Sequence, residues 1–131
     1  MFDELVEMNN TDMRFIKKAF EVAKNSQYKV HHGAVLAKSG KELRSGCNQN
    51  RPVRFLNKYH RYASLHAEVR VLLNITKETT NGADIYVARI SGDNNMAMSR
   101  PCPMCLHMAS EMGIRRIFYT IDNRNFGMIK L

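Results

Sequence analysis

Between Thr11 and Lys24, the apolar residues Phe15, Ile16, Ala19, Phe20, Val22 and Ala23 fall on one side of a 3.6-residue period, which predicts an amphipathic helix. The next run, Val30 to Lys38 around Gly33-Ala34-Val35-Leu36, reads as a strand. Ser39-Gly40 then marks a turn, and Lys41 to Asn48 reads as the returning strand. Arg51 to Tyr62 has no period and reads as a long loop. Helical spacing resumes after Ser64, a candidate N-cap, through Leu65, Val69, Leu72, Leu73 and Ile75, and Asn81-Gly82 ends that unit. Ala83 to Arg89 alternates as a strand, and Ser91 to Ser99 is a polar loop. Pro101 opens a helix that runs through Met112 and that Gly113 closes. Arg116 to Ile121 reads as a strand, Asp122 to Asn125 as a turn, and Phe126 to Leu131 as a last short strand.

This order of elements predicts a mixed sheet with helices on both faces, a three-layer α/β/α domain with a C-terminal β-hairpin. A chain of 131 residues has room for one compact domain, here residues 1–131. With 44% apolar and 24% charged residues, the composition is that of an ordinary globular protein. No apolar run approaches the length of a membrane span. The acidic start, Met1 to Glu7, lacks the basic and apolar regions of a signal peptide, so the expected compartment is the cytoplasm. Three cysteines cannot all pair, and in a reducing compartment Cys102-Pro103-Met104-Cys105 reads as metal or redox chemistry before a structural disulfide.

Two motifs open two successive predicted helices: His66-Ala67-Glu68, and Pro101-Cys102-Pro103-Met104-Cys105. Residues 69–100 suffice for a helix, a strand and a loop, which brings the two helix starts side by side. Cys102 and Cys105, spaced i, i+3 at a helix start, point to one side, and His66 supplies a third ligand from the neighbouring helix. Three protein ligands to a zinc ion leave its fourth position open, the mark of a catalytic site. Glu68 stands beside the metal without ligating it, where it can move a proton. Two other readings compete. Cys47 is available as a fourth ligand of a closed structural zinc, and the Cys-x-x-Cys alone fits a redox pair, although neither uses Glu68.

His-x-Glu followed by Pro-Cys-x-x-Cys resembles the signature of the cytidine deaminase superfamily, and the resemblance extends from the Gly33-Ala34-Val35 strand to the strand ending near Ile121. It implies Zn²⁺ as cofactor, with His66, Cys102 and Cys105 as ligands and Glu68 as the catalytic acid–base. The implied activity is hydrolytic deamination of cytosine to uracil, with release of ammonia. Relatives place an Asn at the end of the second strand to hold the sugar of the target nucleoside, and Asn48 matches that place. With Ala67, Arg100 and Pro101 it makes up the candidate substrate contacts. Relatives also self-associate, so a homo-oligomer is expected.

The branch is less sharply marked. Free cytidine deaminases carry Cys where this chain has His66, and tRNA adenosine deaminases carry Glu where it has Arg100. Deoxycytidylate deaminases share the histidine but continue past this chain's end with a further helix and strand. Polynucleotide cytosine deaminases share the histidine and are basic. This chain has a net charge of +8, which suits phosphorylated partners and equally suits a surface kept soluble by charge. Residues 51–62 mix basic and aromatic side chains, a chemistry for stacking on bases and gripping phosphate, or simply a solvated loop pinned by its aromatics. The expected substrate is a (deoxy)cytidine nucleoside or nucleotide, with single-stranded DNA or RNA next, then adenosine in RNA. A non-catalytic zinc-binding interaction module is the remaining alternative. One of His31 and His32, which precede Gly33-Ala34 on a strand, is a candidate to face the pocket, although each also reads as an ordinary packed or exposed histidine; His107 reads as surface, and Met104, Met108 and Met112 as a core stripe.

Overall fold

The computed structural model describes residues 2–49 and 66–131. In chain order the elements are β1 (Phe2–Val6), α1 (Asn10–Ala23), β2 (His31–Lys38), β3 (Lys41–Cys47), α2 (Ala67–Leu72), α3 (Lys77–Thr80), β4 (Asp84–Ile90), β5 (Met96–Ala97), α4 (Pro103–Glu111), β6 (Arg116–Thr120) and β7 (Phe126–Lys130). The sheet runs β1-β7-β6-β4-β2-β3, with the short β5 paired to β4. Among the described residues only β4 and β6 pair in parallel.

Alternation along the central strands builds two cores. Ala34 and Leu36 of β2, Ile85 and Val87 of β4, and Ile117 and Tyr119 of β6 face one side, where Val69, Val71 and Leu72 of α2 and Cys105, Leu106 and Ala109 of α4 cover them. Val35, Ala37, Tyr86, Ala88 and Phe118 face the other side and meet Phe15, Ile16 and Ala19 of α1. Helices therefore cover both faces of the sheet, as the order of elements predicts. The β6–β7 hairpin is present, with Ile117 opposite Ile129 and Tyr119 opposite Gly127.

Gly33 sets how closely α1 lies on β2. A Cβ there would sit 2.1 Å from the Ala19 carbonyl oxygen and 2.6 Å from the Ala23 nitrogen, both backbone atoms that cannot swing aside. Gly33→Ala is expected to lower the unfolding free energy by about 1–3 kcal/mol through overpacking, read from urea denaturation midpoints. An unchanged midpoint would mean that α1 slides at little cost.

The structure corrects four readings. Phe2–Val6, read only as an acidic lead, is an edge strand against β7, and it carries Leu5 74% exposed. The polar loop 91–99 contains β5. The helix expected to begin after Ser64 and continue through Ile75 starts at Ala67, with His66 in the N-cap place, and ends at Leu72. Asn74 then takes φ 57°, which turns the chain while Leu73 and Ile75 still pack on the core. The Pro101 helix begins two residues later, with Cys102 as N-cap and Pro103 in its first turn. The loop read over Arg51–Tyr62, and Ser64 itself, lie outside the described residues.

Candidate active site

Each motif lands at the start of a helix on the same face of the sheet. His66 precedes α2 and Cys102 precedes α4, both in extended backbone conformation (φ −67°, ψ 149° and φ −72°, ψ 161°). Neither side chain caps its own helix, which leaves both for other partners. The segment delivering the thiols is pinned from behind. The Ser99 hydroxyl donates to the Val87 carbonyl at 3.0 Å and lies 2.8 Å from the Thr120 hydroxyl, which donates to the Ala97 carbonyl at 2.6 Å.

His66 Nδ1 lies 3.3 Å from Cys105 Sγ and 3.7 Å from Cys102 Sγ. A tetrahedral zinc with bonds of roughly 2.3 Å to sulfur and 2.0 Å to nitrogen would hold such atoms about 3.5 Å apart. The three ligand atoms all lie within 4.8 Å of one another, and among the described residues they form the one such group of potential metal ligands. Cys47 takes no part. It is buried at the end of β3, where the Arg70 guanidinium donates to its carbonyl oxygen at 3.1 Å and lies 3.6 Å from its sulfur. Among the described residues the donor set thus fits zinc with three protein ligands rather than four.

The electrostatics match a cation site. A hydrogen bond from Cys105, with further help from His66, pulls the Cys102 thiol down to about 3 against the cost of burial. The same hydrogen bond and burial push the Cys105 thiol up. One proton is thus left between the two sulfurs for a metal ion to displace. His66 is raised, chiefly by its hydrogen bond to Cys102. Glu68, in the first turn of α2, is 6% exposed. Burial pushes its carboxyl up, while the charge of His66 and a hydrogen bond from Cys105 act in the opposite direction.

The candidate substrate contacts divide. Ala67 and Pro101 are buried beside the metal ligands. Asn48 is buried, and its amide is engaged with the start of β2: Oδ1 accepts from the His32 N–H at 3.0 Å, and Nδ2 donates to the Val30 carbonyl at 2.6 Å. Arg100 is exposed and forked onto Asp3 of β1 at 2.7 and 3.1 Å, and Tyr119 donates to the same carboxylate at 3.0 Å. Met108 is buried and Met104 and Met112 are partly so, all in the core beneath the site, while His107 is exposed and pairs with Glu111.

The fold decides between the two neighbouring histidines and adds one residue. His32 shares the face of Ala34 and Leu36, the metal side of the sheet; burial, then the charges of Arg89 and His66, lower it to about 4. Arg89, read from sequence only as the end of a strand, stands directly opposite His32. The parity of Ile85-Val87-Arg89 is the signal that could have placed it on the metal side.

A sequence description of the family "cytidine and deoxycytidylate deaminase zinc-binding region" matches residues 9–121. The chain belongs to this family. It is accordingly a hydrolytic deaminase, with His66, Cys102 and Cys105 positioned for the zinc that names the family's binding region. Similar solved structures include the dCMP deaminase of cyanophage S-TIM5 in apo form, at 20% identity and a TM-score of 0.62 over 88% of this chain and 86% of that one. The same enzyme in complex with dCMP and dUMP matches at 21% identity and a TM-score of 0.57, over 86% of this chain and 83% of that one. A mutant cytidine deaminase from Mycobacterium tuberculosis matches at 20% identity and a TM-score of 0.52, over 86% and 88%. At these identities the deaminases share the fold with this chain. No curated protein sequence matches it significantly. Among the described residues no helix is long and apolar enough to cross a membrane.

Proposed function

We propose that residues 1–131 form one zinc-dependent deaminase domain that converts cytosine to uracil in a (deoxy)cytidine nucleoside or nucleotide. The observation that carries this reading is the triangle of His66, Cys102 and Cys105 with the Glu68 carboxyl buried beside it. His66, Cys102 and Cys105 would hold the metal, which when bound supplies Lewis acidity for water activation. Glu68 takes one proton from the attacking water and passes it to the ring nitrogen as the water oxygen bonds to C4, then carries the second proton of that water to the departing amine as the C4 carbonyl forms. Water is consumed, the C4–N bond breaks and ammonia leaves. Ala67 and Pro101 line the approach from the two helix starts. Asn48, rigidly held by His32 and Val30, shapes the wall where the sugar would lie.

An ammonia-release screen tests this reading. The substrates are cytidine, deoxycytidine, their 5′-monophosphates, cytosine, adenosine, and single-stranded DNA and RNA. Turnover of the cytidine compounds well above that of free cytosine, adenosine and polynucleotides is the expected result. The net charge of +8 and the basic, aromatic composition of residues 51–62 favour single-stranded nucleic acid as the second reading. On that reading polynucleotides react fastest, and binding weakens steeply with salt, by a log–log slope of about −0.7 per phosphate contacted. Silence on every substrate by zinc-replete protein would leave the non-catalytic module.

A further inference from the structure

We propose that Arg89, at the end of β4, is an anion-binding residue beside the metal centre and recognises the phosphate of a nucleoside monophosphate. The inference rests on the deaminase reading above and names, within it, the phosphorylated substrate class.

Arg89 follows Ile85 and Val87 at two-residue spacing, and both of these face α2 and α4, so its side chain leaves the sheet on the metal side. Its register partner in β2 is His32, whose face is set in the same way by Ala34 and Leu36. Directly opposed residues of an antiparallel pair stand with Cβ atoms about 5 Å apart. His32 in turn feels the charge of His66, a metal ligand. Arg89, His32 and His66 therefore form a row leading from a cation to the metal centre. A nucleoside monophosphate presents the matching order, with the phosphate at one end and the reacting ring at the other.

Among the described residues the guanidinium has no ion-pair partner. Arg89 Nε is closed off from solvent and has no hydrogen-bond partner among the described residues, while the residue as a whole keeps partial exposure. Arginine stays charged in proteins, and a desolvated, unpaired donor on it is costly. Asp84 is forked by Arg115 and Arg116 at the opposite end of β4, Asp3 holds Arg100, and Glu68 sits at the metal centre. Residues 50–65 contain neither Asp nor Glu, so that segment brings no acidic partner either. An anion from outside can pair with the guanidinium where the residue keeps exposure, and the planar fork suits the oxygens of a phosphate. Arg100, which lies closer to the cysteines in sequence, is already neutralised by Asp3.

The test uses the zinc-loaded full chain, with Arg89→Gln and Arg89→Lys as variants and zinc content and melting temperature as checks of fold. Initial rates are measured on deoxycytidine and its 5′-monophosphate, and binding of inorganic phosphate is measured by calorimetry. Arg89→Gln is expected to lower the preference for the monophosphate over the nucleoside about ten- to hundredfold, mainly through KM. It should weaken phosphate binding in parallel, and Arg89→Lys should retain part of both. An unchanged preference, an equal loss on both substrates, or phosphate binding indifferent to Arg89 overturns the inference while leaving the deaminase reading in place. If the wild type deaminates neither compound, the deaminase reading fails. The phosphate titration of wild type against Arg89→Gln then still decides the anion site.

Discussion

Glu68→Ala is expected to retain one zinc per chain and a normal melting profile, yet to lose turnover by at least 10²–10⁴-fold, the range for a general acid–base group. The expectation follows from position. Glu68 lies in the first turn of α2, two residues after His66, and is buried with its carboxyl within hydrogen-bond reach of Cys105. Burial raises its proton affinity above that of an ordinary carboxyl, which suits a group that must both take a proton from water and give it back. The loss should fall on kcat, because the proton transfers occur in the transition state, and Glu68→Gln should be similarly impaired, since an amide keeps the shape and loses the basicity. Near-normal turnover in a zinc-replete variant would assign the proton transfers to another group.

Removal of the metal should be equally consequential. His66→Ala, Cys102→Ser and Cys105→Ser are each expected to lose bound zinc and with it essentially all turnover, whereas Cys47→Ser should keep one zinc per chain, because the Cys47 sulfur faces Arg70 rather than the triangle. Chelation of the wild type should lower the melting temperature by roughly 10 °C, the size expected when a ligand present at hundreds of times its dissociation constant is withdrawn. Zinc should return with release of protons, because Cys105, whose thiol is held up by its hydrogen bond with Cys102 and by burial, must give up its proton to become a ligand. Retention of the metal therefore weakens as pH falls. Atomic absorption across a pH series, with pH-stat titration of the apo protein, measures both effects. Two zinc ions per chain, or unaltered zinc in Cys102→Ser, would contradict the three-ligand site.

The chemistry of the site was legible from residue order because it depends on short-range spacing. His-x-Glu places a ligand and a proton-transfer group in one helical turn, and Cys-x-x-Cys places two thiols on one side of another, whatever the rest of the chain does. The strands of the central sheet were legible for a similar reason: Val35, Leu36, Ile85, Val87 and Ile117 are buried under helices, and burial on both faces leaves a mark in local composition. The edge strand Phe2–Val6 leaves no such mark. Its pairing with β7 is a long-range backbone interaction, and one of its apolar residues faces solvent. The end of α2 was hidden for the opposite reason, since Leu73 and Ile75 keep the apolar period while Asn74 turns the chain. The charges around the site were decided by tertiary structure alone. Arg100 sits next to the metal motif in sequence, but Asp3, from the far end of the chain, neutralises it. Arg89 lies well before that motif, but strand parity turns it toward the metal side without a carboxylate. Ligand spacing is a property of a few bonds, whereas the freedom of a charge depends on every chain segment that packs around it.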